Sequence, residues 1–185
     1  VEHYRRVFDE PVYLRVMYRT IRISALVTFI SLLLGYPLAA LMARTRGLML
    51  NLLLVAVLLP LWTSVLVRTY AWLVLLQRNG VVNDLLTGLG LVDAPMQLLR
   101  TEGAVVLAMS HVLLPFVVLP LYATLRAIPD DYARAARMLG ANGFAVFRHV
   151  TLPLSMPGIT SGCVMVFLLA LGFFVTPALI GGPQQ

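Results

Sequence analysis

The sequence predicts an all-α membrane protein, a polytopic bundle of transmembrane helices, and three observations support this fold class. Of the 185 residues, 60% are hydrophobic and only 12% are charged, whereas soluble domains carry about 25% charged residues. The charges bracket uncharged runs of 21, 21 and 23 residues, which lie between Arg22 and Arg44, Arg46 and Arg68, and Glu102 and Arg126. These runs show no period-two alternation, and a helix needs about 20 apolar residues to cross a bilayer.

We predict four spans, at Thr20–Met42, Leu48–Leu76, Gly103–Leu125 and Ile159–Leu179. Pro60 lies inside the second span and should kink it, because proline removes a backbone donor. The connection after that span carries a short amphipathic piece, Val81–Leu89. Since the sequence starts without methionine and ends without a charged tail, we expect residues 1–185 to be part of a longer protein.

Composition and residue placement also argue against several classes of function. The net charge is +6, but the arginines are scattered between apolar blocks, which argues against a nucleic-acid partner. All eight carboxylates lie outside the predicted spans, which argues against an ion-coupled carrier. The histidines are far apart and Cys163 is alone, so we predict no metal site, no catalytic residue and no cofactor bound by this chain. An ATP-independent channel or carrier and a polytopic membrane enzyme remain as alternatives.

A few polar and aromatic side chains lie in or near the spans and are candidates for lining a substrate pathway. They are Trp62, Thr63, Arg68, Tyr70 and His111. Each has a structural alternative. Arg68 lies near a helix end, from which its head group can reach the interface. His111 can form a hydrogen bond between helices. The aromatic residues suit an interface belt, or else a surface that binds cations.

The longest connection, Arg126–Gly158, carries the richest signal, in its loop from about Asp130 to Gly158. Asp130 and Asp131 predict a helix start, because acids are favourable at the positive end of the helix dipole. Gly140 is placed to end this helix as a left-handed cap.

A second short helix should follow in the same connection. Asn142 can cap it over Gly143–His149, and Pro153 and Pro157 should break the chain before the fourth span. Two short helices with a glycine turn suit a groove in a partner protein. Folding of the loop against its own bundle is the alternative.

An ordered signature begins within the first short helix and continues through the rest of the connection. It consists of Ala135-Ala136-Arg137-Met138-Leu139-Gly140-Ala141, then Phe147, Val150, Leu152-Pro153-Leu154 and Pro157-Gly158-Ile159. This order and spacing resemble the EAA loop of binding-protein-dependent ABC importer permeases. The resemblance implies a type I ABC importer permease fold, in which this loop is cytoplasmic and couples to the ATPase. That implication fixes an orientation that the nearly even distribution of arginines leaves open.

In that family the loop sits in a cleft of the ATPase, so the resemblance implies which residues make this contact. They are Ala133, Arg134, Ala135, Ala136, Leu139, Gly140, Ala141, Phe144, Phe147, Pro153, Pro157 and Gly158. Arg134 occupies a position where the family usually has glutamate. We therefore expect docking to depend on shape and apolar anchors rather than on an acidic residue.

Further motifs resemble one branch of the family, the spermidine/putrescine importer permeases. They are Gly35-Tyr36-Pro37-Leu38-Ala39, Leu59-Pro60-Leu61-Trp62-Thr63-Ser64, Arg68-Thr69-Tyr70, Asn79-Gly80, Leu114-Pro115-Phe116, Leu119-Pro120-Leu121-Tyr122 and Gly181-Gly182-Pro183. Such permeases have six spans, and the resemblance implies that this chain holds the second to the fifth within a single transmembrane permease domain.

The branch also implies a location, partners and a substrate class. The location would be the bacterial inner membrane, as a multi-pass protein in the lipid bilayer. The implied partners are a cytoplasmic ABC ATPase dimer that holds ATP and magnesium, a second homologous permease, and a periplasmic or extracellular solute-binding protein. The expected substrate is a polyamine such as putrescine or spermidine, with an opine-like solute or ferric iron as alternatives.

Overall fold

The structure, a computed structural model, describes residues 11–92, 94–173 and 180 of the chain. These residues form helices and no strand, so the predicted all-α class is confirmed. The helices are α1 (Pro11–Arg44), α2 (Leu48–Trp62), α3 (Val65–Leu75), α4 (Val81–Gly88), α5 (Glu102–Ala127), α6 (Asp130–Met138), α7 (Gly143–Val146) and α8 (Leu152–Leu171), with a π-helical turn, Phe147–Thr151, between α7 and α8.

Three described helical stretches are long and apolar enough to cross a membrane, at Arg15–Arg44, Glu102–Ala127 and Gly143–Leu171. The interrupted pair α2 and α3 supplies a fourth if it counts as one span. Helices α1 and α5 contain the predicted spans Thr20–Met42 and Gly103–Leu125. Helix α4 forms at the predicted amphipathic piece, within the connection between α3 and α5.

The second predicted span, Leu48–Leu76, is interrupted rather than merely kinked. Pro60 cannot donate to the carbonyl one turn earlier, and α2 continues for only two residues beyond it. Ser64 then has a ψ of 136°, which is not helical, and α3 begins at the next residue. The break therefore follows the proline, at Thr63–Ser64, and exposes backbone groups there.

The fourth predicted span, Ile159–Leu179, begins earlier than expected. Pro153 and Pro157 do not break the chain, because both lie inside α8. Pro153 occupies the first turn of α8, where a missing N–H costs little. The wider π-helical turn just before it, in which Leu152 N donates to Phe147 O, leads the chain into α8 without a break. The predicted residues 174–179 lie outside the described part of the chain.

The chain divides into two compact units, each described by itself. Unit 1 comprises Val1–Thr28, Thr63–Val112 and Phe167–Gln185, and unit 2 comprises Phe29–Trp62 and Leu113–Val166. The core of unit 2 is formed by α1, α2 and α5, with Ala39, Met42, Val57, Val118, Leu121 and Leu125 buried together. The loop of interest, Asp130 to Gly158, belongs to unit 2.

Close helix contacts in unit 2 depend on glycine. A Cβ at Gly158 of α8 would lie 2.6 Å from Thr124 Oγ1 and 3.1 Å from Leu121 Cα in α5. A Cβ at Gly162, one turn later, would lie 3.2 Å from Val117 Cα. Small residues at these positions let two apolar helices approach backbone to backbone. Close packing of this kind drives helix association within a bilayer, where the hydrophobic effect does not.

Unit 1 contains a buried polar clamp on the connection between α3 and α5. Asn83 of α4 is fully buried, and its Nδ2 donates to Gln77 O and Met96 O, each at 3.0 Å. Its Oδ1 accepts from Met96 N, also at 3.0 Å. One side chain thus ties together two distant points of the connection. The same unit contains an ion pair between Arg22 of α1 and Glu102 of α5, at 3.2 Å.

Replacing Asn83 with alanine should loosen this connection, because Gln77 O, Met96 O and Met96 N each lose one hydrogen bond. We expect the free energy of unfolding to fall by about 1–3 kcal/mol. Limited proteolysis of the full-length permease should cut within residues 77–98 sooner than in the wild type. Asn79→Ala, at an exposed position in the same connection, is the control. Equal protection of both variants would show that the clamp does not hold the connection.

Candidate functional site

Helix α6 ends in the glycine turn that the sequence predicts. Gly140 has a φ of +85°, in the left-handed region that favours glycine. Its N–H donates to Arg137 O at 2.9 Å, and Ala141 N donates to Ala136 O at 3.1 Å. This pair of bonds is the Schellman arrangement, which satisfies carbonyls that the helix end would leave unpaired.

Helix α7 also begins as predicted, with Asn142 as its N-cap. Asn142 Oδ1 accepts from Ala145 N at 2.8 Å. The expected helix Gly143–His149 does not end at His149, because the π-helical turn that follows α7 continues directly into α8. π-Helical turns are rare and concentrate at functional sites. The two helix ends beside Gly140, the end of α6 and the start of α7, are therefore both capped.

The turn between α6 and α7 presents large apolar side chains to the outside. Met138 is 89% exposed, Leu139 90% and Phe144 69%. Exposed apolar patches of this kind mark interaction surfaces. We call Met138, Leu139 and Phe144 the apolar tip. Met138 is not among the predicted contact residues, and only its exposure in the folded loop distinguishes it.

Phe147 is less exposed to solvent than the side chains of the apolar tip. It is 37% exposed, and its ring meets Tyr36 of α1 edge-on, with centroids 5.7 Å apart. Tyr36 Oη also lies 3.2 Å from Ser155 Oγ of α8. Tyr36 thus contacts both the π-helical turn and α8. No sequence signal marks this role, because the partners are more than a hundred residues away.

The other predicted contact residues divide between the surface and the interior. Arg134 and Ala135 are exposed on α6, and Arg134 pairs with Asp131 at 3.8 Å. Gly158 is buried inside α8 against α5, where it serves helix packing. The remaining predicted contacts are half-buried or exposed, and lie at Ala133, Ala136, Ala141, Pro153 and Pro157.

The predicted pathway residue Arg68 has a definite backbone contact. Its Nη2 donates to Thr63 O at 3.2 Å, so it satisfies a carbonyl exposed by the interruption between α2 and α3. Its Nε and Nη1 are buried without a hydrogen-bond partner among the described residues. Arg68 therefore stabilises the break and retains further donors.

His111 pairs with an aromatic neighbour. Trp72 Nε1 donates to His111 Nδ1 at 3.4 Å, and the two ring centroids are 5.7 Å apart. This contact between α3 and α5 is the interhelical hydrogen bond considered as the alternative for His111. Trp72 is absent from the predicted pathway set, because its contact depends on how α3 and α5 pack. Trp62 and Tyr70 are exposed on α2 and α3.

Metal-binding chemistry finds no support here. Among residues 11–92, 94–173 and 180, no three His, Cys, Asp or Glu side chains are grouped closely enough to hold a metal ion. The two regions with functional geometry are the capped loop of unit 2 and the Arg68, Trp72 and His111 group of unit 1.

The chain is similar in sequence to permease proteins of known transport systems. The chain is 41% identical over 184 residues to the spermidine/putrescine transport system permease protein PotB of Haemophilus influenzae, covering 100% of this chain and 64% of that protein. It is 36% identical to PotB of Escherichia coli, covering 100% of this chain and 67% of that protein. It is also 35% identical over 90% of its length to the molybdenum transport system permease protein ModB of Mycobacterium bovis, covering 61% of that protein. The chain thus spans about two thirds of the length of these relatives.

A solved structure shares the fold. It is a bacterial ABC transporter involved in the import of the acidic polysaccharide alginate, with a TM-score of 0.70 and 21% identity over 98% of this chain and 65% of that one. The profile of one protein family matches residues 17–184. The chain belongs to this family, the inner membrane components of binding-protein-dependent transport systems.

Proposed function

We propose that this chain is a transmembrane permease subunit of an ATP-driven importer and forms half of the translocation pathway for a polyamine. The observation that carries the proposal is the capped loop of unit 2, with Gly140 in a left-handed turn and the apolar tip beside it. A membrane protein gains little by exposing three large apolar side chains on a polar loop unless a partner covers them.

The partner that covers the apolar tip is a cytoplasmic ATPase dimer, which binds ATP and magnesium. The short helices enter a groove with their apolar side chains as anchors. ATP binding and hydrolysis move the loop, and the subunit changes between outward and inward access. This assignment places the loop on the cytoplasmic side of the inner membrane. A second homologous permease completes the pathway, and a solute-binding protein delivers substrate from the opposite side.

Putrescine or spermidine is the proposed substrate. The relatives named as spermidine/putrescine permeases support it, being 36–41% identical over the whole chain. Exposed Trp62 and Tyr70 offer aromatic faces for an organic cation. Arg68 would repel a polyamine if its charge faced the pathway, but its contact with Thr63 O gives it a structural task.

Uptake by the complete transporter tests the proposal. A strain with only this transporter for polyamines should accumulate radiolabelled putrescine, and unlabelled spermidine should compete. Accumulation should stop when the ATPase partner cannot hydrolyse ATP. Accumulation that persists without the ATPase would contradict an ATP-driven importer and would indicate a channel or carrier. ATP-dependent uptake of an opine, ferric iron or molybdate in place of putrescine would keep the importer and overturn only the substrate.

A further inference from the structure

Unit 2 contains a cavity of about 620 Å³ whose polar lining is dominated by arginine. Four arginines from separate segments line it, namely Arg44 at the end of α1, Arg46 just after it, Arg126 at the end of α5 and Arg137 of α6. The volume lies within the roughly 300–1,000 Å³ of small-ligand sites. Of the residues predicted to contact the ATPase, only Ala133 lines it.

The charges in the cavity are unbalanced. The single carboxylate in its lining is Asp130, so four positive charges face one negative charge, a net charge of +3. The ion pairs of the described residues join Arg22 to Glu102 and Arg134 to Asp131, so they neutralise no cavity arginine. Like charges gathered at one place repel each other, and an anion that enters removes this cost.

One of the four guanidinium groups is held in place by the backbone. Arg126 Nη1 donates to Ala43 O at 2.8 Å, which joins the end of α5 to the end of α1. A guanidinium presents several N–H donors in a planar fork that matches the oxygens of a phosphate group. Arginines from three helix ends and a turn therefore offer donors from several directions.

Apart from Thr151, the remaining lining is apolar and lies where apolar helices end. Arg44 and Arg126 terminate the uncharged runs of α1 and α5, which places them at the edge of the hydrocarbon layer. Ala40, Leu125 and Ile128 contribute apolar surface to the same cavity. A site with arginines and apolar residues at this depth suits an amphiphile with an anionic head group.

We propose that this cavity binds a phosphate group, supplied by the head group of an anionic phospholipid in the adjacent leaflet. The leaflet is the cytoplasmic one, an assignment that rests on the proposed function, whereas the binding itself does not. Inorganic phosphate has the same recognition chemistry and is the other possible source. Occupancy would join the ends of α1 and α5 to α6, the first helix of the loop.

Equilibrium binding of a fluorescent phosphatidylglycerol to the complete, detergent-purified transporter tests this site. Each arginine near the membrane surface contributes about 1 kcal/mol to anionic lipid binding, or roughly fivefold in affinity. We therefore expect Arg44→Gln with Arg137→Gln to weaken binding roughly 25-fold. Arg148→Gln, at an exposed arginine of the same loop outside the cavity lining, should bind as the wild type does.

The competitors distinguish the source of the phosphate. Unlabelled phosphatidylglycerol should displace the probe, whereas phosphatidylcholine and inorganic phosphate should not. Displacement by inorganic phosphate at equal concentration would overturn the lipid as source. Equal binding by the double variant and Arg148→Gln would overturn the site, as would a cavity filled by an acidic side chain in a structure of the whole complex. None of these outcomes depends on uptake, so the proposed phosphate site can be disproved without affecting the proposed importer function.

Discussion

Gly158→Ala should destabilise the permease, because Gly158 has the least room for an added methyl group among the glycines inside the described helices. The new Cβ would lie 2.6 Å from Thr124 Oγ1, 2.8 Å from Thr124 Cβ and 3.1 Å from Leu121 Cα. Thr124 cannot swing away freely, because its Oγ1 already donates to Pro120 O at 2.9 Å. Either α8 must move off α5 or the side chain must strain. Overpacking of this kind costs about 1–3 kcal/mol.

Thermal unfolding of the full-length permease in detergent measures this loss, which should lower the midpoint by about 2–12 °C. Gly103→Ala is the matched control, since Gly103 also lies in a long helix and its nearest outside atom is 4.0 Å away. Thr124→Gly removes both nearest atoms, so the double variant should lose less than the sum of the single losses. Simple additivity would show that the contact with Thr124 is not the cause.

Leu139→Asp combined with Phe144→Asp should separate the permease from the proposed ATPase partner without unfolding the permease. Both side chains are largely exposed, so a charge at either position meets water in the isolated subunit. At the proposed interface the same charges would be buried without partners. Loss of an interface hot spot costs about 2 kcal/mol or more, which is roughly a 30-fold loss in affinity. Co-purification with the ATPase and ATP-driven uptake should therefore both fall.

The control for this variant also adds a carboxylate, but at a different place. Asn79→Asp puts a carboxylate on an exposed position of the connection in unit 1, and it should leave ATPase binding intact. The unfolding midpoint of the double variant should match that of the wild type. If the ATPase still co-purifies in full with the double variant, the apolar tip is not the docking surface.

Charge placement alone predicts the long apolar parts of α1 and α5, because ionic groups are expensive within a bilayer and therefore bracket each span. Whether the helix continues past each proline depends on packing. Pro60 is followed by a break within a few residues, whereas Pro153 and Pro157 remain helical. The difference arises from the π-helical turn and from where each proline falls in its helix, which no local pattern reveals.

The loop divides in the same way into predictable and unpredictable parts. Gly140 and Asn142 act through bonds to residues a few positions away, so their types and spacing predict both caps. The contacts of Tyr36 with Phe147 and of Trp72 with His111 join distant segments. Their existence depends on the packing of whole helices, and a single sequence carries no local signal for it.

The π-helical turn has a mechanical consequence. Because it keeps the chain helical, residues Gly143–Leu171 form one uninterrupted helical stretch of 29 residues, about 43 Å of rod. A flexible hinge between loop and membrane would absorb a push as bending. This continuous helix also contacts Tyr36 at Phe147 and Ser155. We therefore expect a displacement at Phe144 to be transmitted along α8. Movement of the loop should therefore be coupled directly to α8, and a glycine pair inserted at the π-helical turn should uncouple the two.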